Sequence, residues 1–258
     1  MQSEMMELVS TYTWPSQAFW RYFELNALRQ IKVEHPILEI GCGDGKFSSL
    51  IFDSIEEAID VNPKSIEKAK ERTEGFYKLL RCMDARDLQP TENGFGTVYA
   101  NCVMEHIPSI ENVLSGCYRS LRKGGTLLIT VPLVEMNHHL MLPFRRYARL
   151  RQQQLVHHNL LSPKQWDGLL SHAGFTTVEF RPYLGAKACS FWDSIDTLGC
   201  VGSGRYCVSS ALRLLARTFL PRSIELRFNA ALARWLERNI EKNSDLSAPC
   251  ATVILATK

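Results

Sequence analysis

The sequence lacks the features that mark membrane, secreted and nucleic-acid-binding proteins. Its longest purely apolar runs fall far short of the ~20 residues that a helix needs to cross a bilayer, and no signal peptide is evident. Its eight cysteines are scattered and include no Cys-x-x-Cys pair, which argues against a zinc knuckle and a secreted disulfide framework. A net charge of +3 is too small to indicate a nucleic-acid partner. We therefore expect a cytoplasmic protein without a transmembrane segment.

What the sequence does contain is a glycine-rich turn directly after an apolar strand. Residues 37–40 run into glycines at alternate positions, Gly41, Gly43 and Gly45. Glycines at this spacing let the backbone turn sharply and let a ligand approach closely. A dinucleotide-binding fingerprint would need another glycine where this chain has Lys46. The turn therefore predicts a nucleoside-like cofactor, and its alternative reading is a strand-to-helix turn without a ligand.

Acidic residues follow the next two predicted strands. A strand over 54–60 ends in Asp60, fifteen residues after Gly45, where a carboxylate can accept hydrogen bonds from ribose hydroxyls. A further strand over 77–82 leads into Met83, Asp84 and Ala85. Standing alone, Asp84 could equally be a turn or helix cap.

Taken together, these segments resemble the class I S-adenosylmethionine-dependent methyltransferases. The likeness runs from about position 36 to 132, more weakly to 181, and includes a fourth strand that is followed by Glu105-His106-Ile107. It implies S-adenosyl-L-methionine as the cofactor and S-adenosyl-L-homocysteine as the product. It also implies that Asp84 accepts from the adenine amino group while Met83 or Ala85 packs on the ring. The expected cofactor-binding residues are Glu39, Gly41, Cys42, Gly43, Gly45, Asp60, Val61, Met83, Asp84, Ala85 and Asn101.

Strands alternate with helices along the chain, which predicts an α/β fold. We expect a doubly wound, Rossmann-like, seven-stranded and mostly parallel sheet whose last strand, 251–256, is antiparallel. The remaining predicted elements are a helix over 109–122 that ends at Lys123-Gly124-Gly125, a strand over 126–131, a helix over 164–172 capped by Ser162-Pro163, and a strand over 175–180. The expected organisation is an N-terminal helical lid (1–33), the core (34–184), a helical insertion between strands 6 and 7 (185–249) and the last strand (250–258).

The insertion is the segment that departs most from the minimal fold. It predicts two amphipathic helices, 206–219 and 223–242, after a glycine-rich hinge at 199–204. We expect a substrate cap or a homodimer interface, ahead of a solvated basic face and of peripheral contact with an anionic membrane.

Catalytic and substrate-binding residues are expected on loops beyond the carboxyl ends of the strands. His106 is the predicted general base, because imidazole titrates near neutrality, and its alternative reading is a histidine hydrogen-bonded within its loop. Glu105 and Tyr147 complete the catalytic set, and the expected substrate-binding residues are Trp20, Arg21, His138, Arg145 and Arg146.

Arg145 and Arg146 belong to a run of four arginines in seven residues, which could clamp an acidic acceptor or form a solvated helix start. No metal is predicted, because the Glu-x-x-Glu-His pattern of metal-binding relatives lacks its first glutamate here, although His138 and His139 could compensate.

The predicted function is methyl transfer to a small-molecule acceptor, acidic and partly apolar, in a biosynthetic or tailoring pathway. Two alternatives stay open. One is a protein or RNA methyltransferase, which would be expected to show a recognition domain or a broad basic groove. The other is a cofactor-binding subunit without transfer activity, since the glycines and acidic residues indicate cofactor binding but not methyl transfer.

Overall fold

A seven-stranded sheet organises the protein, whose computed structural model describes residues 4–12, 14–91, 93–199 and 221–258. The strands are β1 Ile37–Ile40, β2 Ile55–Asp60, β3 Tyr77–Cys82, β4 Phe95–Asn101, β5 Leu121–Pro132, β6 Thr177–Gly185 and β7 Pro249–Thr257. Their order across the sheet is β3-β2-β1-β4-β5-β7-β6. Neighbouring strands from β3 to β5 pair in parallel and β7 pairs antiparallel with β5, as the sequence predicts.

Helices connect the strands. They are α1 Glu4–Thr11, α2 Pro15–Leu28, α3 Pro63–Arg72, α4 Ile110–Ser120, α5 Arg145–Leu155, α6 Pro163–Ala173, α7 Ala186–Gly199 and α8 Arg222–Lys242. The helix α3 has a helix start that its sequence favours, with the Asn62 side chain accepting from the amide of Lys64 and proline at the first position. None of the described helices combines the length and apolar character that crossing a bilayer requires.

The core lies on the sheet. All four residues of β1 are buried, as expected for a strand that has parallel neighbours on both sides and is covered on both faces. Trp166 and Leu170 of α6, together with Leu114 and Cys117 of α4, are buried in the same apolar cluster as the β4 and β5 side chains.

Predicted boundaries of α4, β5 and β6 are wrong. The helix α4 ends at Ser120 rather than Arg122, and β5 already begins at Leu121. Leu121 is buried and extended and lies opposite Phe95 in the sheet, so packing against the core ends the helix before the glycines do. Strand β6 runs on to Gly185 instead of ending at Phe180, and Pro182 is tolerated because β6 is an edge strand.

Outside the sheet, the predicted helix 223–242 is confirmed as α8. The predicted helix 206–219 and the hinge beyond Gly199 lie outside the described residues. Helix α7 has no counterpart among the predictions. The segment predicted as an N-terminal helical lid (1–33) contains α1 and α2, and α2 begins at Pro15, where a missing backbone N–H costs nothing.

The chain divides into two compact units. One consists of Met1–Asn26, Glu135–Arg149 and Tyr183–Cys250, and is largely helical. The other consists of Ala27–Val134, Leu150–Pro182 and Ala251–Lys258, and holds most of the sheet.

Candidate functional site

A cavity of about 350 Å³ lies in the sheet unit, at the carboxyl ends of β1 to β4. Parallel strands present their carboxyl ends at one edge of a sheet, and the chain order reverses between β1 and β4, which is where open α/β sheets bind ligands. The cavity is lined by Ile40, Gly41, Ile59, Asp60, Val61, Met83, Asp84, Ala85, Arg86, Cys102, Val103, His106, Ile107 and Pro108.

Gly41 brings the backbone close to the loop that follows β4. Its φ of +72° is in the left-handed region, and its amide donates to the carbonyl of Ile59 at 2.8 Å. A Cβ at this position would lie 2.5 Å from Cγ2 of Val103, which itself lines the cavity. Any side chain here would therefore strain the backbone and displace part of the cavity wall.

Asp60 joins the glycine turn to the end of β2. Its Oδ2 accepts from the amide of Gly43 at 2.9 Å, and its Oδ1 accepts from the amide of Asn62 at 2.8 Å. A carboxylate oxygen can accept more than one hydrogen bond, so both oxygens retain acceptor capacity at the cavity.

Asp84 follows β3 and caps the 3-10 turn Ala85–Asp87 by accepting from the amide of Arg86 at 2.9 Å. The guanidinium of Arg86 makes further bonds to both carboxylate oxygens, the shortest at 2.6 Å. These bonds lower the pKa of Asp84, so its carboxylate is charged at neutral pH. The capping role that the sequence allowed is present, and the same residue lines the cavity.

Five residues expected to bind the cofactor do not line the cavity: Glu39, Cys42, Gly43, Gly45 and Asn101. Gly43 still contributes, because its amide orients Asp60. Asn101 accepts from the hydroxyl of Thr130 at 2.7 Å, and burial raises the pKa of the Cys42 thiol.

Glu39 is buried beneath the glycine turn. Its carboxylate accepts from the hydroxyls of Ser48 at 2.5 Å and Tyr77 at 2.7 Å. Burial raises its pKa to about 7 despite these bonds. Its contacts support the turn from inside the protein.

Several cavity-lining residues were not predicted: Ile40, Ile59, Arg86, Cys102, Val103, Ile107 and Pro108. Each lies within two residues of a predicted one, so the loops were identified correctly. The sequence alone did not indicate in which direction each loop side chain points.

His106 lies on a 3-10 turn, Met104–His106, at the rim of the cavity. Its side chain is partly exposed, whereas the neighbouring Glu105 is buried. Its Nδ1 lies 3.1 Å from the carbonyl oxygen of Val156, and its Nε2 lies 3.9 Å from Oε1 of Glu105. The imidazole of the predicted base thus lies near the carboxylate of Glu105, a second predicted catalytic residue.

His157 joins this pair and was not predicted. Ligand atoms of Glu105, His106 and His157 all lie within 4.8 Å of one another. Burial lowers the pKa of His157 to about 4, with further contributions from His106 and Arg151. His138 and His139, the compensating residues that the sequence suggested, are not in this group.

Tyr147 lies in the helical unit, where its hydroxyl donates to Oδ2 of Asp193 at 2.7 Å and lies 2.9 Å from the hydroxyl of Thr197. Asp193 also accepts from the amide of Met141 at 2.9 Å. The tyrosine therefore ties α5 to α7, and its catalytic role stays a prediction.

Trp20 and Arg21 are also engaged within the helical unit. The indole of Trp20 donates to Glu24 at 2.7 Å, and Arg21 pairs with the same carboxylate at 2.5 Å. Tyr183 donates to Glu24 at 3.1 Å and packs edge-to-face on Trp20. These contacts are those of a packed buried network.

The predicted residues His138, Arg145 and Arg146 are exposed, as is Arg149. The fourth member of the arginine run, Arg151, is buried instead and donates to Gln154 at 2.9 Å. The run therefore presents three of its four guanidinium groups to solvent.

A family model and several curated relatives of known activity match this chain. Residues 17–179 match a family model described as a methyltransferase domain. The chain is 26% identical over 162 residues to the malonyl-acyl-carrier-protein O-methyltransferase of Paenibacillus sp. (strain JDR-2), covering 56% of each chain. It is 29% identical over 157 residues to the trans-aconitate 2-methyltransferase of Methylobacterium nodulans, covering 56% of this chain and 59% of that one. The chain thus spans somewhat more than half the length of these curated relatives.

Among solved structures, the fold is similar to that of the phosphoethanolamine N-methyltransferase 2 of Haemonchus contortus. That structure contains phosphomonomethylethanolamine and S-adenosylhomocysteine. The TM-score is 0.56 at 16% identity, covering all of this chain and 61% of the other.

Proposed function

This chain belongs to the class I S-adenosylmethionine-dependent methyltransferases, and we propose that it transfers a methyl group from that cofactor to a small acceptor bearing an anionic group. The observation that carries the proposal is the cavity at the carboxyl ends of β1 to β4, with Gly41, Asp60 and Asp84 in its wall.

The described residues fit the cofactor. Asp60 offers two carboxylate oxygens suited to ribose hydroxyls, and Asp84 offers an acceptor for the adenine amino group. Met83, Ala85 and Ile59 provide the apolar wall that a purine ring needs. A Cβ at Gly41 would crowd the space between the turn and Val103, so glycine keeps the cavity open there.

S-Adenosylmethionine supplies a methyl group that is already activated by its sulfonium. The protein's part is therefore to hold the acceptor in line with that group, which can be worth several kcal/mol. His106 lines the rim of the same cavity and can take a proton from an acceptor that must lose one.

Two observations support an anionic acceptor. Arg145, Arg146 and Arg149 are exposed on α5, and within the described chain none makes an ion pair. Guanidinium groups match carboxylate and phosphate oxygens bidentately. The relatives named above also act, by their names, on malonyl, aconitate and phosphoethanolamine groups, which all carry acidic functions.

Cofactor binding is tested first, by calorimetry with S-adenosylmethionine. We expect Asp60→Ala to weaken binding by about 1.5–3 kcal/mol, because two charge-assisted hydrogen bonds are lost. Asp53→Ala is the matched control, since Asp53 is exposed and lies just before the amino end of the same strand, β2. Absence of binding by the parent protein, or equal affinity in both variants, would contradict the proposal.

Transfer is tested by release of S-adenosylhomocysteine with a panel of acceptors. The panel holds a malonyl thioester, trans-aconitate and phosphoethanolamine, each beside an analogue whose acidic group is esterified. We expect turnover with at least one anionic member and loss of turnover with its neutral analogue. A cofactor complex that transfers only to neutral acceptors would refute the anionic part of the proposal.

A further inference from the structure

The turn that carries His106 is clamped by the segment 156–159, which follows α5. The backbone amides of His158 and Asn159 donate to the carbonyl of Glu105 at 2.7 and 3.1 Å. Chain regions some fifty residues apart are thereby joined at the rim of the cavity.

The side chain of Asn159 completes the clamp. Its Nδ2 donates to the carbonyl of Met104 at 2.9 Å and to that of Ile107 at 2.6 Å. These two carbonyls flank Glu105 and His106, so one amide group holds both ends of the turn. Neither hydrogen bond involves the ring of His106, so Asn159 acts on this residue only through its backbone.

Val156 acts on the ring itself. Its carbonyl oxygen lies 3.1 Å from Nδ1 of His106, although Val156 has a φ of +56°. The left-handed region is unfavourable for a β-branched residue, and such strained positions persist only where surrounding contacts hold them. Here the amide of Val156 donates to the carbonyl of Gln153 at 3.3 Å and that of His157 to the carbonyl of Gln152 at 3.1 Å, and these bonds hold the backbone on both sides of the Val156 carbonyl.

This geometry assigns the proton of the imidazole. A carbonyl oxygen can only accept, so Nδ1 of His106 must carry the hydrogen. In the neutral ring the lone pair is then on Nε2, which can accept a proton but has none to donate. Oε1 of Glu105 lies 3.9 Å from Nε2, where a carboxylate attracts the positive charge of a protonated ring.

We infer that Val156 and Asn159 are positioning residues that hold His106 as a proton acceptor, so that the acceptor's nucleophile is a hydroxyl or an amine and not a carboxylate. A carboxylate is already ionised and would need no base, whereas a hydroxyl or ammonium group must lose a proton. In the transfer, the bond from nucleophile to methyl carbon forms as the carbon–sulfur bond breaks. The electron pair stays on sulfur, and the proton passes to Nε2 of His106. The inference rests on the proposed function.

The first test reads the tautomer of His106 directly and needs no substrate. Long-range proton–nitrogen NMR spectra of the ¹⁵N-labelled protein at pH about 8.5 distinguish the two neutral forms, and His106→Gln identifies the signal. We expect the Nδ1–H form in the parent and a mixture with the Nε2–H form in Asn159→Ala. The matched control is Asn112→Ala, an exposed asparagine of α4, which should leave the spectrum unchanged. An Nε2–H form in the parent would overturn the assignment, as would an unchanged tautomer in Asn159→Ala.

The second test uses turnover with the acceptor panel. We expect the amine to be methylated and the two carboxylates to be inert. His106→Ala should lower kcat by roughly a hundredfold or more, and Asn159→Ala should lower kcat with little change in the KM for the cofactor. If Asn159→Ala fails to fold, Asn159→Ser keeps one donor and provides the same comparison.

Methylation of trans-aconitate or of the malonyl thioester would refute this inference while leaving methyl transfer intact. Failure to bind S-adenosylmethionine would refute the proposed function instead, so the two failures are distinguishable. If every acceptor is inert, the parent tautomer still decides whether His106 is held as described.

Discussion

At the scale of single residues, the cavity wall depends on a glycine to which no Cβ can be added without a clash, Gly41. Gly41 and Gly43 both have positive φ values, +72° and +56°. They differ in surroundings, because a Cβ on Gly41 would clash with Val103 whereas one on Gly43 would have no atom within 4 Å. Alanine variants of these two glycines therefore separate the effect of backbone strain from that of the steric clash.

We expect Gly41→Ala to weaken S-adenosylmethionine binding by more than tenfold beyond the effect of Gly43→Ala. Both variants carry a backbone cost of about 1–2 kcal/mol, but only the first displaces a cavity-lining side chain. Calorimetry measures the affinity, and thermal unfolding measures the shared loss of stability. Equal losses of affinity in the two variants would mean that displacing Val103 does not affect cofactor binding.

Protonation of the buried Glu39 is coupled to folding. Burial raises its pKa from 4.5 to about 7, so the folded state favours the neutral carboxyl more than the unfolded state does. The stability that this preference contributes is fully present below pH 4.5 and is lost as the pH rises through about 7.

Between pH 4.5 and 7.5, the free energy of unfolding of the parent should therefore fall relative to that of Glu39→Gln. The expected relative fall is on the order of 3 kcal/mol, from about 1.4 kcal/mol per pKa unit. Urea unfolding at several pH values measures it. Glu71→Gln, at an exposed glutamate of α3, is the control and should follow the parent. Parallel pH profiles for Glu39→Gln and the parent would rule out a titrating Glu39.

At the scale of elements, α6 shows how local chemistry and core packing reinforce each other. Ser162 and Gln165 form a capping box, in which the serine hydroxyl accepts from the Gln165 amide at 3.4 Å and the glutamine oxygen accepts from the Ser162 amide at 2.9 Å. The same helix buries Trp166 and Leu170 in the core.

We expect Ser162→Ala to lower the free energy of unfolding by about 1 kcal/mol, because the Gln165 N–H loses the hydroxyl, one of its two acceptors, and the capping box is broken. Ser171→Ala is the matched control, at an exposed position near the end of the same helix, where alanine costs nothing. Chemical denaturation measures both. Equal stability of the two variants would show that packing alone sets the start of α6.

At the scale of the whole molecule, the proposed anionic acceptor gives the exposed arginines of α5 a testable role. If the exposed arginines of α5 take part, Arg145→Ala or Arg146→Ala should raise the KM for an anionic acceptor several-fold and leave cofactor affinity unchanged. Arg119→Ala, at an exposed arginine near the end of α4, is the control. Steady-state kinetics with the panel measure the effect, and an unchanged KM in both α5 variants would assign these arginines to a solvated surface.

The sequence alone determined the order of the sheet's elements, the loops that line the cavity and the family. The reason is that these depend on local signals at defined spacing: the apolar strand before Gly41, the acids after β2 and β3, and the Asn62-Pro63 and Ser162-Pro163 helix starts. Each signal depends on residues that are close in the chain, so it can be interpreted without knowledge of the tertiary structure. The loops that line the cavity could therefore be identified from the sequence without the tertiary structure.

Only the tertiary structure decided what the individual side chains do. Glu39 lies beneath the turn because Ser48 and Tyr77 reach it from elsewhere, and Trp20 and Arg21 are engaged by Glu24 within the helical unit. His157 and Asn159 meet the His106 turn across some fifty residues, and no spacing in the sequence marks that contact. Burial and long-range hydrogen bonds are properties of the folded chain, and they determine both the orientation of a side chain and the atom that carries its proton.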